Sequence, residues 1–464
     1  MIPIRLSDLA DITGGTRHGE DVLVDGPVVT DSREAGAGSL YVARVGESAD
    51  GHGFVGAARA QGAVAALTTR PVDDLPCVVV PDIQDAFAAL ARALVERSPQ
   101  LTVIGITGSS GKTSTKDLIA SVLSRHGETV AHVASLNGEV GVPLTVCRIT
   151  PTTRYLVVEM GARGIGHVAY LTQITPPKVG VVLNVGTAHV GEFGSREAIG
   201  RAKSELVREL PADATAVLNA DDPIVAGMAA VTRAHVIPVG TSPEASVRAT
   251  DIELDEAGRP SFTLHAPEGE ARLSLGLHGE HHVGNALSAA AVALSVGMPF
   301  EDVVAALSEA RPVSRWRMEV HERPDGVTVV NDAYNANPDS MRAALKALVA
   351  MGRGRRTWAV LGEMLELGEE SATEHDAIGR LAVRLNVSRL VVVGDGARAM
   401  DAGARHEGSW GQESAWVPDA DAAFALLQQE LAPGDVVLLK SSRDAGLRWL
   451  GDRLVEGSGA EVSS

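Results

Sequence analysis

Short runs of apolar residues alternate with amphipathic segments along most of the 464-residue chain. From Leu101 onward, the apolar run LTVIGIT precedes the helix-like segment TSTKDLIASVLSRHG, and further apolar runs read ETVAHVA, RYLVVEM and KVGVVLNV. Uninterrupted apolar runs that alternate with helices are typical of a parallel sheet covered by helices on both faces. The pattern therefore predicts an α/β fold for this part of the chain.

The same pattern divides the chain into three predicted domains. Residues 1–99 contain the strand-like runs LYVARV, AVAALTT and CVVVPD and an alanine-rich helix. Residues 100–312 contain the alternating pattern, a more polar strand-like stretch from Ser246 to Ala266 and a closing helix from Val283 to Gly297. Residues 313–464 carry the strand-like runs VTVVNDAY, TWAVLGEM, RLVVVGD and DVVLLKS, with helices between them. We expect this last unit to be a second α/β domain.

Composition and charge narrow the classes of function. The formal net charge of -18 argues against a nucleic-acid partner, which would require a basic surface. No run of about 18 apolar residues exists, so no membrane partner is expected. The two cysteines, Cys77 and Cys147, lie in apolar runs and are expected to be buried thiols. These features fit a cytoplasmic protein, and we also expect a monomer.

A glycine-rich loop lies in the segment GITGSSGKTSTKDL, which runs from Gly105 to Leu118. It follows a predicted buried strand and opens a helix, the context in which such loops bind nucleotide phosphates. The spacing differs from that of the common phosphate loop, because Ile106 occupies the position of its first glycine. Lys112 can neutralise phosphate oxygens, and the Thr113 hydroxyl can bind Mg²⁺. The alternative is a glycine-rich turn with an N-capping threonine.

Two further positions can hold a metal ion. Glu159 ends the predicted strand RYLVVEM, and ligands collect at the carboxyl ends of strands in open α/β sheets. Its carboxylate can bind Mg²⁺, or it can be a solvated charge. Lys203 lies on the apolar stripe of a predicted helix, four residues from both Ile199 and Val207. Its amine can extend to water, or it can be desolvated and react with CO₂ to form a carbamate that binds Mg²⁺.

Polar residues in the last third of the chain suggest contacts with a nucleotide. Asn285, early in the closing helix, can read a base edge or make a helix-start hydrogen bond. Asp332 can bind ribose hydroxyls, and Arg317 can bind a phosphate. The alternative for the segment YNANPDS is a turn whose Asn and Asp residues cap the next helix.

Together, these segments resemble the Mur ligase family, the ATP-dependent amide ligases of peptidoglycan precursor synthesis. The loop GITGSSGKTSTK has the family's phosphate-loop spacing, and VVEMGA, LNVGTAHVGEFGS, RAKSEL, LNADD, HHVGNALSAAA and VVNDAYNANPDSM follow in the family's order. The stretch TDSREAGAGSLYVARVGESADGHGF is similar to the uridine-binding domain of two members. One segment departs from the family, since ARGIGH stands after Met160-Gly161 where many relatives have an Asn-His turn.

The resemblance implies an α/β protein of three domains: a small uridine-binding domain, a central P-loop ATPase domain with a parallel sheet, and a Rossmann-like C-terminal domain. It implies that ATP binds with two Mg²⁺ ions. Thr113 would hold the first ion, and Glu159, His189 and a carbamate on Lys203 would hold the second. The residues implied to bind ATP are Gly108, Ser109, Ser110, Gly111, Lys112, Thr113, Ser114, Asn285, Arg317 and Asp332. The residues implied to contact the other substrates are Ser32, Arg33, Asn137, Asn335 and Asn337.

The segments NDAYNANPDSM, LGEMLELGEES and KSSRDAG are similar to the family member that joins D-alanyl-D-alanine to UDP-N-acetylmuramoyl-tripeptide. The resemblance thus implies these two partners and an acyl-phosphate intermediate, with Lys112, Glu159, His189 and Lys203 as the catalytic residues. Lysine and diaminopimelate both remain open for the third residue of the tripeptide. The rival functions are another Mur-type or folylpolyglutamate-type amide ligase, and a nucleotide-dependent binding protein without ligase turnover.

Overall fold

The structure, a computed structural model, describes residues 1–46, 49–132, 135–186, 190–408 and 413–456. These residues form three successive α/β units, each with its own main sheet. The sheets lie within the three predicted domains, whose boundaries remain a prediction. No helix in the described part of the chain is both long and apolar enough to cross a membrane.

The N-terminal unit is built on a five-stranded sheet in the order β2-β7-β6-β5-β4, with a separate β1–β3 pair. Its strands are β1 (Ile4–Arg5), β2 (Thr16–His18), β3 (Leu23–Val24), β4 (Val28–Val29), β5 (Ser39–Val42), β6 (Ala63–Thr68) and β7 (Cys77–Val79). Its helices are α1 (Leu6–Thr13), α2 (Val55–Ala60) and α3 (Ile83–Glu96). The strands from β4 to β7 pair in parallel, and β2 is antiparallel to β7. The three predicted strand runs and the alanine-rich helix are thereby confirmed.

The middle unit is built on a nine-stranded sheet in the order β16-β15-β14-β13-β12-β11-β8-β10-β9. Its strands are β8 (Thr102–Thr107), β9 (Thr129–Ala131), β10 (Tyr155–Glu159), β11 (Val179–Val182), β12 (Thr215–Asn219), β13 (His235–Gly240), β14 (Val247–Leu254), β15 (Pro260–Ala266) and β16 (Gly269–Ser274). Its helices are α4 (Lys112–Leu123), α5 (Gly141–Val146), α6 (His167–Ile174), α7 (Val190–Phe193), α8 (Arg196–Arg208), α9 (Pro223–Ala226), α10 (His282–Ser295) and α11 (Phe300–Glu309).

The prediction of a parallel sheet holds for the strands from β9 through β14 in sheet order. The far edge lies outside that prediction, and there β14, β15 and β16 pair antiparallel. The polar stretch from Ser246 to Ala266 forms the first hairpin of this edge. Its alternating polarity fits strands with one face in solvent, whereas the central strands are buried on both faces.

The C-terminal unit is a six-stranded sheet in the order β17-β18-β22-β19-β20-β21, parallel except for β17. Its strands are β17 (Glu319–Glu322), β18 (Thr328–Asn331), β19 (Thr357–Leu361), β20 (Arg389–Val393), β21 (Ser414–Val417) and β22 (Val436–Lys440). Its helices are α12 (Pro338–Met351), α13 (Ser371–Arg384), α14 (Arg398–Gly408), α15 (Ala420–Glu430) and α16 (Leu447–Glu456). Helices α12 to α14 pack on one face of the sheet, and α15 and α16 pack on the other. The unit is therefore doubly wound, as the Rossmann-like prediction requires.

Short 3₁₀ helices complete the connections between these elements. They span Ser32–Glu34, Gly51–Phe54, Gly227–Ala230, Gly368–Glu370, Asp395–Ala397 and Arg443–Ala445. One hydrophobic cluster runs from α1 and α3 of the N-terminal unit into α5, α6 and α8 of the middle unit. Since this apolar core is shared, it holds the first two units together.

Candidate active site

A cavity of about 790 Å³ lies where the middle and C-terminal units meet. Its lining comes mainly from segments that follow β8, β9 and β10 in the middle sheet and β18, β19 and β22 in the C-terminal sheet. Open α/β sheets bind ligands at the carboxyl ends of their strands. The two sheets therefore present their ligand-binding edges to one shared space.

The glycine-rich loop connects β8 to α4 at this cavity, as predicted. Gly111 occupies the N-cap position of α4 with φ +82°, a left-handed conformation that glycine adopts without strain. Thr113 lies inside the helix, so the alternative of an N-capping threonine is wrong. The Lys112 Nζ atom donates to the Gly108 carbonyl oxygen at 2.6 Å. The first turn of α4 therefore keeps uncapped N–H groups and a lysine at the place where a phosphate is expected.

The segment that follows β11 holds the glycine-rich loop through hydrogen bonds. The Ser110 backbone N–H donates to Asn184 Oδ1 at 2.9 Å, and Asn184 Nδ2 donates to the Ser110 carbonyl at 3.1 Å. The Gly186 N–H donates to Ser109 Oγ at 2.9 Å. Asn184 lies in the predicted apolar run KVGVVLNV, and its support of the loop emerges only from the structure.

Glu159 is buried at the end of β10, with a relative exposure of 2%. Its Oε2 atom accepts a hydrogen bond from Ser135 Oγ at 2.9 Å, and Ser135 lines the cavity. Its Oε1 atom has no hydrogen-bond partner among the described residues. The alternative of a solvated charge is therefore wrong. A buried carboxylate oxygen without a partner is unfavourable unless a cation or a donor satisfies it.

Lys203 is also buried, with a relative exposure of 2%, and it lines the cavity from α8. Burial, and secondly the charge of Lys112, lower the pKa of Lys203 to about 7. The alternative in which its amine extends to bulk water is therefore wrong. A substantial fraction of the amine is neutral near pH 7, the form that can react with CO₂.

Lys112 experiences opposing influences at the same place. Burial lowers the pKa of Lys112, the Glu159 carboxylate opposes this shift, and the charge of Arg317 adds to it. Lys112 of the middle unit and Arg317 of the C-terminal unit therefore share one electrostatic environment. An anionic ligand between them would relieve their mutual repulsion.

His189, predicted as a metal ligand, lies outside the described residues. Among the residues that are described, no group of three or more His, Cys, Asp or Glu side chains has an arrangement that could hold a metal ion. In the predicted metal site, the described residues that carry side-chain oxygens are Glu159 and Thr113.

Asp332 and Arg317 reach the cavity from the C-terminal unit, as predicted. Asp332 Oδ2 accepts from Lys440 Nζ at 2.6 Å, and Asp332 Oδ1 accepts from the Met318 N–H at 3.1 Å. The Arg317 guanidinium stacks on Tyr334, 4.4 Å from the ring centroid. The residue-level reading of the sequence missed Lys440 and Tyr334, although the strand-end position of Lys440 in the KSSRDAG segment could have pointed to it.

The segment that carries Arg317 has an unusual backbone. Trp316 and Met318, the residues on either side, have φ values of +59° and +52°. Left-handed conformations are strained for such side chains and cluster at functional sites. The strain is held by contacts to the C-terminal unit, because the Trp316 carbonyl accepts from the Tyr334 N–H at 3.2 Å.

Asn285 lies in the first turns of α10, buried against the glycine-rich loop. A Cβ atom placed on Gly111 would lie 3.0 Å from Asn285 Oδ1, so the amide oxygen faces the start of α4. Asn285 Nδ2 lies 3.3 Å from His282 Nδ1. Burial lowers the pKa of His282 well below its usual value, which leaves this imidazole neutral and able to accept from the amide.

The predicted substrate residues fall in two places. Asn137, Asn335 and Asn337 line the cavity, and Asn137 Nδ2 donates to Ser135 Oγ at 3.2 Å. Ser32 and Arg33 lie in the 3₁₀ helix Ser32–Glu34 of the N-terminal unit and are not part of the cavity lining. The cavity thus unites the residues predicted for ATP, except Gly108, with three of the predicted substrate contacts, and all these roles remain predictions.

Asn337 also has the structural role named as the alternative for YNANPDS. It is the N-cap of α12, where its Oδ1 atom accepts from the Ser340 N–H at 2.9 Å and Ser340 Oγ completes a capping box. Its side chain reaches the glycine-rich loop as well.

Comparison with protein families gives matches to one family in three consecutive parts. Residues 27–103 match the Mur ligase family, catalytic domain; residues 106–293 match the Mur ligase middle domain; and residues 316–443 match the Mur ligase, glutamate ligase domain. Together these matches account for most of the chain.

Two curated relatives resemble the chain over nearly its full length. The UDP-N-acetylmuramoyl-tripeptide--D-alanyl-D-alanine ligase of Mycobacterium tuberculosis is 50% identical over 501 residues, covering 98% of this chain and 98% of the relative. The ligase of the same name from Escherichia coli is 36% identical over 453 residues, covering 96% of this chain and 97% of the relative.

Solved structures give the same result. A crystal structure of MurF from Acinetobacter baumannii superimposes with a TM-score of 0.88 at 33% identity, covering 98% of this chain and 99% of that one. MurF ligase from Thermotoga maritima, in complex with ADP, superimposes with a TM-score of 0.80 at 27% identity, covering 95% and 99%.

Proposed function

The chain belongs to the Mur ligase family, and we propose that it joins D-alanyl-D-alanine to the terminal carboxylate of UDP-N-acetylmuramoyl-tripeptide, with ATP as the energy source. It is an ATP-dependent ligase that forms an amide bond and makes a peptidoglycan precursor. One geometric observation carries the chemistry: a single cavity brings the glycine-rich loop and Lys203 of the middle unit together with Arg317 and Asp332 of the C-terminal unit.

The reaction requires the activation of an unreactive acid. A carboxylate oxygen of the tripeptide attacks the γ-phosphorus of ATP, ADP leaves, and an acyl phosphate forms. The neutral amine of D-alanyl-D-alanine then attacks the acyl carbon, phosphate leaves, and the amine loses its proton. In the first step an anion approaches a polyanion, so neutralisation of charge matters most.

Lys112 and Arg317 are placed to provide that neutralisation from two sides. Lys112 lies at the first turn of α4, and its charge interacts with that of Arg317 across the cavity. The uncapped N–H groups of α4 add a favourable partial charge for the phosphates. Tyr334 and the strained segment around Arg317 keep this guanidinium at the cavity wall.

The residues present fit a divalent cation. The Oε1 atom of Glu159 is a buried anionic oxygen without a partner among the described residues. Thr113 offers a hydroxyl in the first turn of α4, the helix that follows the glycine-rich loop. We propose that Thr113 holds one Mg²⁺ ion and Glu159 a second, with His189 as a further ligand. A bound Mg²⁺ ion supplies charge stabilisation for the transferred phosphoryl group.

A carbamate on Lys203 would complete the donor set. The neutral amine of Lys203 would attack CO₂, form a nitrogen–carbon bond and release one proton, so that a neutral amine becomes an anionic oxygen ligand. The lowered pKa of Lys203 and its place in the cavity support this proposal. Nuclear magnetic resonance with isotope-labelled bicarbonate should show a carbamate signal that is absent from Lys203→Arg.

Phosphate release tests the proposed function directly. We expect rapid release from ATP only when both UDP-N-acetylmuramoyl-tripeptide and D-alanyl-D-alanine are present. Labelling the terminal carboxylate of the tripeptide with heavy oxygen should transfer one label to the released phosphate. If ATP hydrolysis were indifferent to both substrates, the chain would be a nucleotide-dependent binding protein instead.

A screen of acceptors separates the rival ligases. D-alanyl-D-alanine, glutamate and diaminopimelate should be offered with matched UDP-linked acids and with a folate acceptor. Turnover with glutamate on a folate would indicate a folylpolyglutamate-type ligase. Tripeptides ending in lysine and in diaminopimelate should be compared in the same screen. We further propose that the protein acts as a monomer in the cytoplasm, which sedimentation and fractionation can check.

A further inference from the structure

One side chain of the C-terminal unit contacts the glycine-rich loop directly. Asn337 Nδ2 donates to Ser110 Oγ at 3.1 Å and lies 3.4 Å from the Ser109 carbonyl oxygen. Ser110 Oγ also lies 3.2 Å from Asn337 Oδ1, and 227 residues separate the two positions in sequence. Asn337 is buried, with a relative exposure of 7%, and Ser110 is half-buried, so this contact is partly shielded from solvent.

The contact joins two helix starts. Asn337 is the N-cap of α12, and Ser110 lies two residues before the start of α4. Asn184 holds the backbone of Ser110 from the middle sheet, so the hydroxyl is the part of Ser110 that Asn337 orients. The glycine-rich loop is therefore supported on one side by its own sheet and on the other by a different unit.

Two glycines near the same junction lie in close contact with the C-terminal unit. A Cβ atom placed on Gly186 would lie 1.9 Å from Asp339 Oδ2, in the first turn of α12. A Cβ atom on Gly191 would lie 2.8 Å from the Gly368 N atom. The absence of side chains at Gly186 and Gly191 thus permits the close approach of the two units.

We propose that Asn337 is a positioning residue, which orients Ser110 and completes the glycine-rich loop only when the C-terminal unit is docked on the middle unit. This inference rests on the proposed function and deepens it. It gives Asn337 a role toward the nucleotide loop, in addition to the substrate contact that the family resemblance implies. Correct alignment of the phosphates then depends on docking, which limits ATP hydrolysis before the acceptor site has formed.

The substitution Asn337→Ser separates this role from helix capping. Serine is an equally good N-cap, but its hydroxyl is too short to reach Ser110. The matched substitution Ser110→Ala removes the same contact from the middle unit and leaves α12 intact. Asp419→Ser serves as the control for a changed N-cap, because Asp419 caps α15 at an exposed site outside the cavity lining.

The first measurement is the affinity for a non-hydrolysable ATP analogue with Mg²⁺, without the tripeptide or dipeptide. We expect Asn337→Ser and Ser110→Ala each to raise the dissociation constant about 3- to 10-fold, the range for a lost hydrogen bond. The double variant should bind the analogue as tightly as the single variant that binds it less tightly. Asp419→Ser should bind the analogue as tightly as the wild type. An unchanged dissociation constant in Asn337→Ser, or effects that multiply in the double variant, would overturn the proposal.

The second measurement is small-angle X-ray scattering of the free protein, which does not depend on nucleotide contacts. Ser110→Ala should increase the radius of gyration, because loss of the contact favours separation of the C-terminal unit; an unchanged radius contradicts the inference. Both measurements are independent of turnover. Failure of the ligase assignment would instead appear in the wild type, as phosphate release that ignores the substrates.

Discussion

Two buried lysines face the same cavity from different units, and their surroundings differ. Lys440, at the end of β22, donates to Asp332 Oδ2 at 2.6 Å and to the Asn335 carbonyl at 3.0 Å. Lys203, on α8, has the charge of Lys112 as its main electrostatic neighbour, and its pKa is lowered to about 7. One lysine is a paired cation that organises a loop, and the other is a desolvated amine available for chemistry.

The difference shows that burial alone does not define a lysine's role. Both side chains have a relative exposure of 2%. Lys440 has a carboxylate partner at hydrogen-bonding distance. Burial, and secondly the charge of Lys112, lower the pKa of Lys203, so its amine is the candidate nucleophile toward CO₂.

The largest effect is expected from Lys203→Arg. Arginine keeps the positive charge but cannot form the carbamate, so kcat should fall about 100-fold or more. Steady-state kinetics of phosphate release, with circular dichroism to verify folding, measures this. Lys178→Arg is the control, because Lys178 is exposed and paired with Asp213 on the surface. A kcat within a few-fold of wild type would remove Lys203 from the chemistry.

The ion pair of Lys440 is tested by Asp332→Asn, which leaves a buried ammonium without its carboxylate. We expect a loss of about 3 kcal/mol in the free energy of unfolding, the usual consequence of removing one partner of a buried pair. Combining it with Lys440→Met should recover much of that loss. Chemical denaturation measures both variants. If Asp332→Asn and the wild type were equally stable, the ion pair between Asp332 and Lys440 would not stabilise the fold.

The lowered pKa of Lys203 predicts a dependence of stability on pH, measured in CO₂-free buffer so that the amine stays unmodified. The unfolded chain keeps the Lys203 proton up to about pH 10.4, whereas the folded chain releases it near pH 7. Between these values the unfolded state binds more protons, so raising the pH stabilises the fold. Below pH 7 both states bind the proton, and the full penalty of the buried ammonium remains.

Lys203→Met removes this titration. Its unfolding free energy relative to wild type should be most favourable below pH 7 and should decline by about 1.4 kcal/mol per pH unit as the pH rises above 7. Denaturation curves at several pH values give the difference directly. Parallel pH profiles for the two proteins would show that Lys203 keeps an ordinary pKa.

The smallest effect is expected from Tyr334→Leu, on the side of the cavity that contains the ion pair. Loss of the ring under Arg317 removes a cation–π contact, so KM for ATP should rise about 3-fold with little change in kcat. Tyr334→Phe keeps the ring and should behave as wild type. Trp416→Leu removes a similar stack beneath Arg398, outside the cavity lining, and is the control. Equal KM values in Tyr334→Leu and Tyr334→Phe would show that the ring does not position Arg317.

The sequence anticipated local features well. The strand-loop-helix context of Gly108 to Lys112, the strand end at Glu159 and the apolar stripe of α8 are all confirmed, because each depends on residues close together in the chain. Strands β12, β13 and β16 were not predicted. They lie toward one side of the middle sheet, and the partly exposed residues of β13 and β16 weaken the apolar signal, whereas β12 has a buried centre of only three residues.

What the sequence alone determined is the series of α/β elements, the glycine-rich loop between β8 and α4, and the family to which these motifs belong. Tertiary structure decided which charges meet: Lys440 with Asp332, Lys203 beside Lys112, and Asn337 against Ser110. Hydrophobic periodicity reports whether a segment is buried, but a side chain's partner across 100 or more residues depends on how whole sheets and helices pack. The chemistry of each lysine follows from that packing.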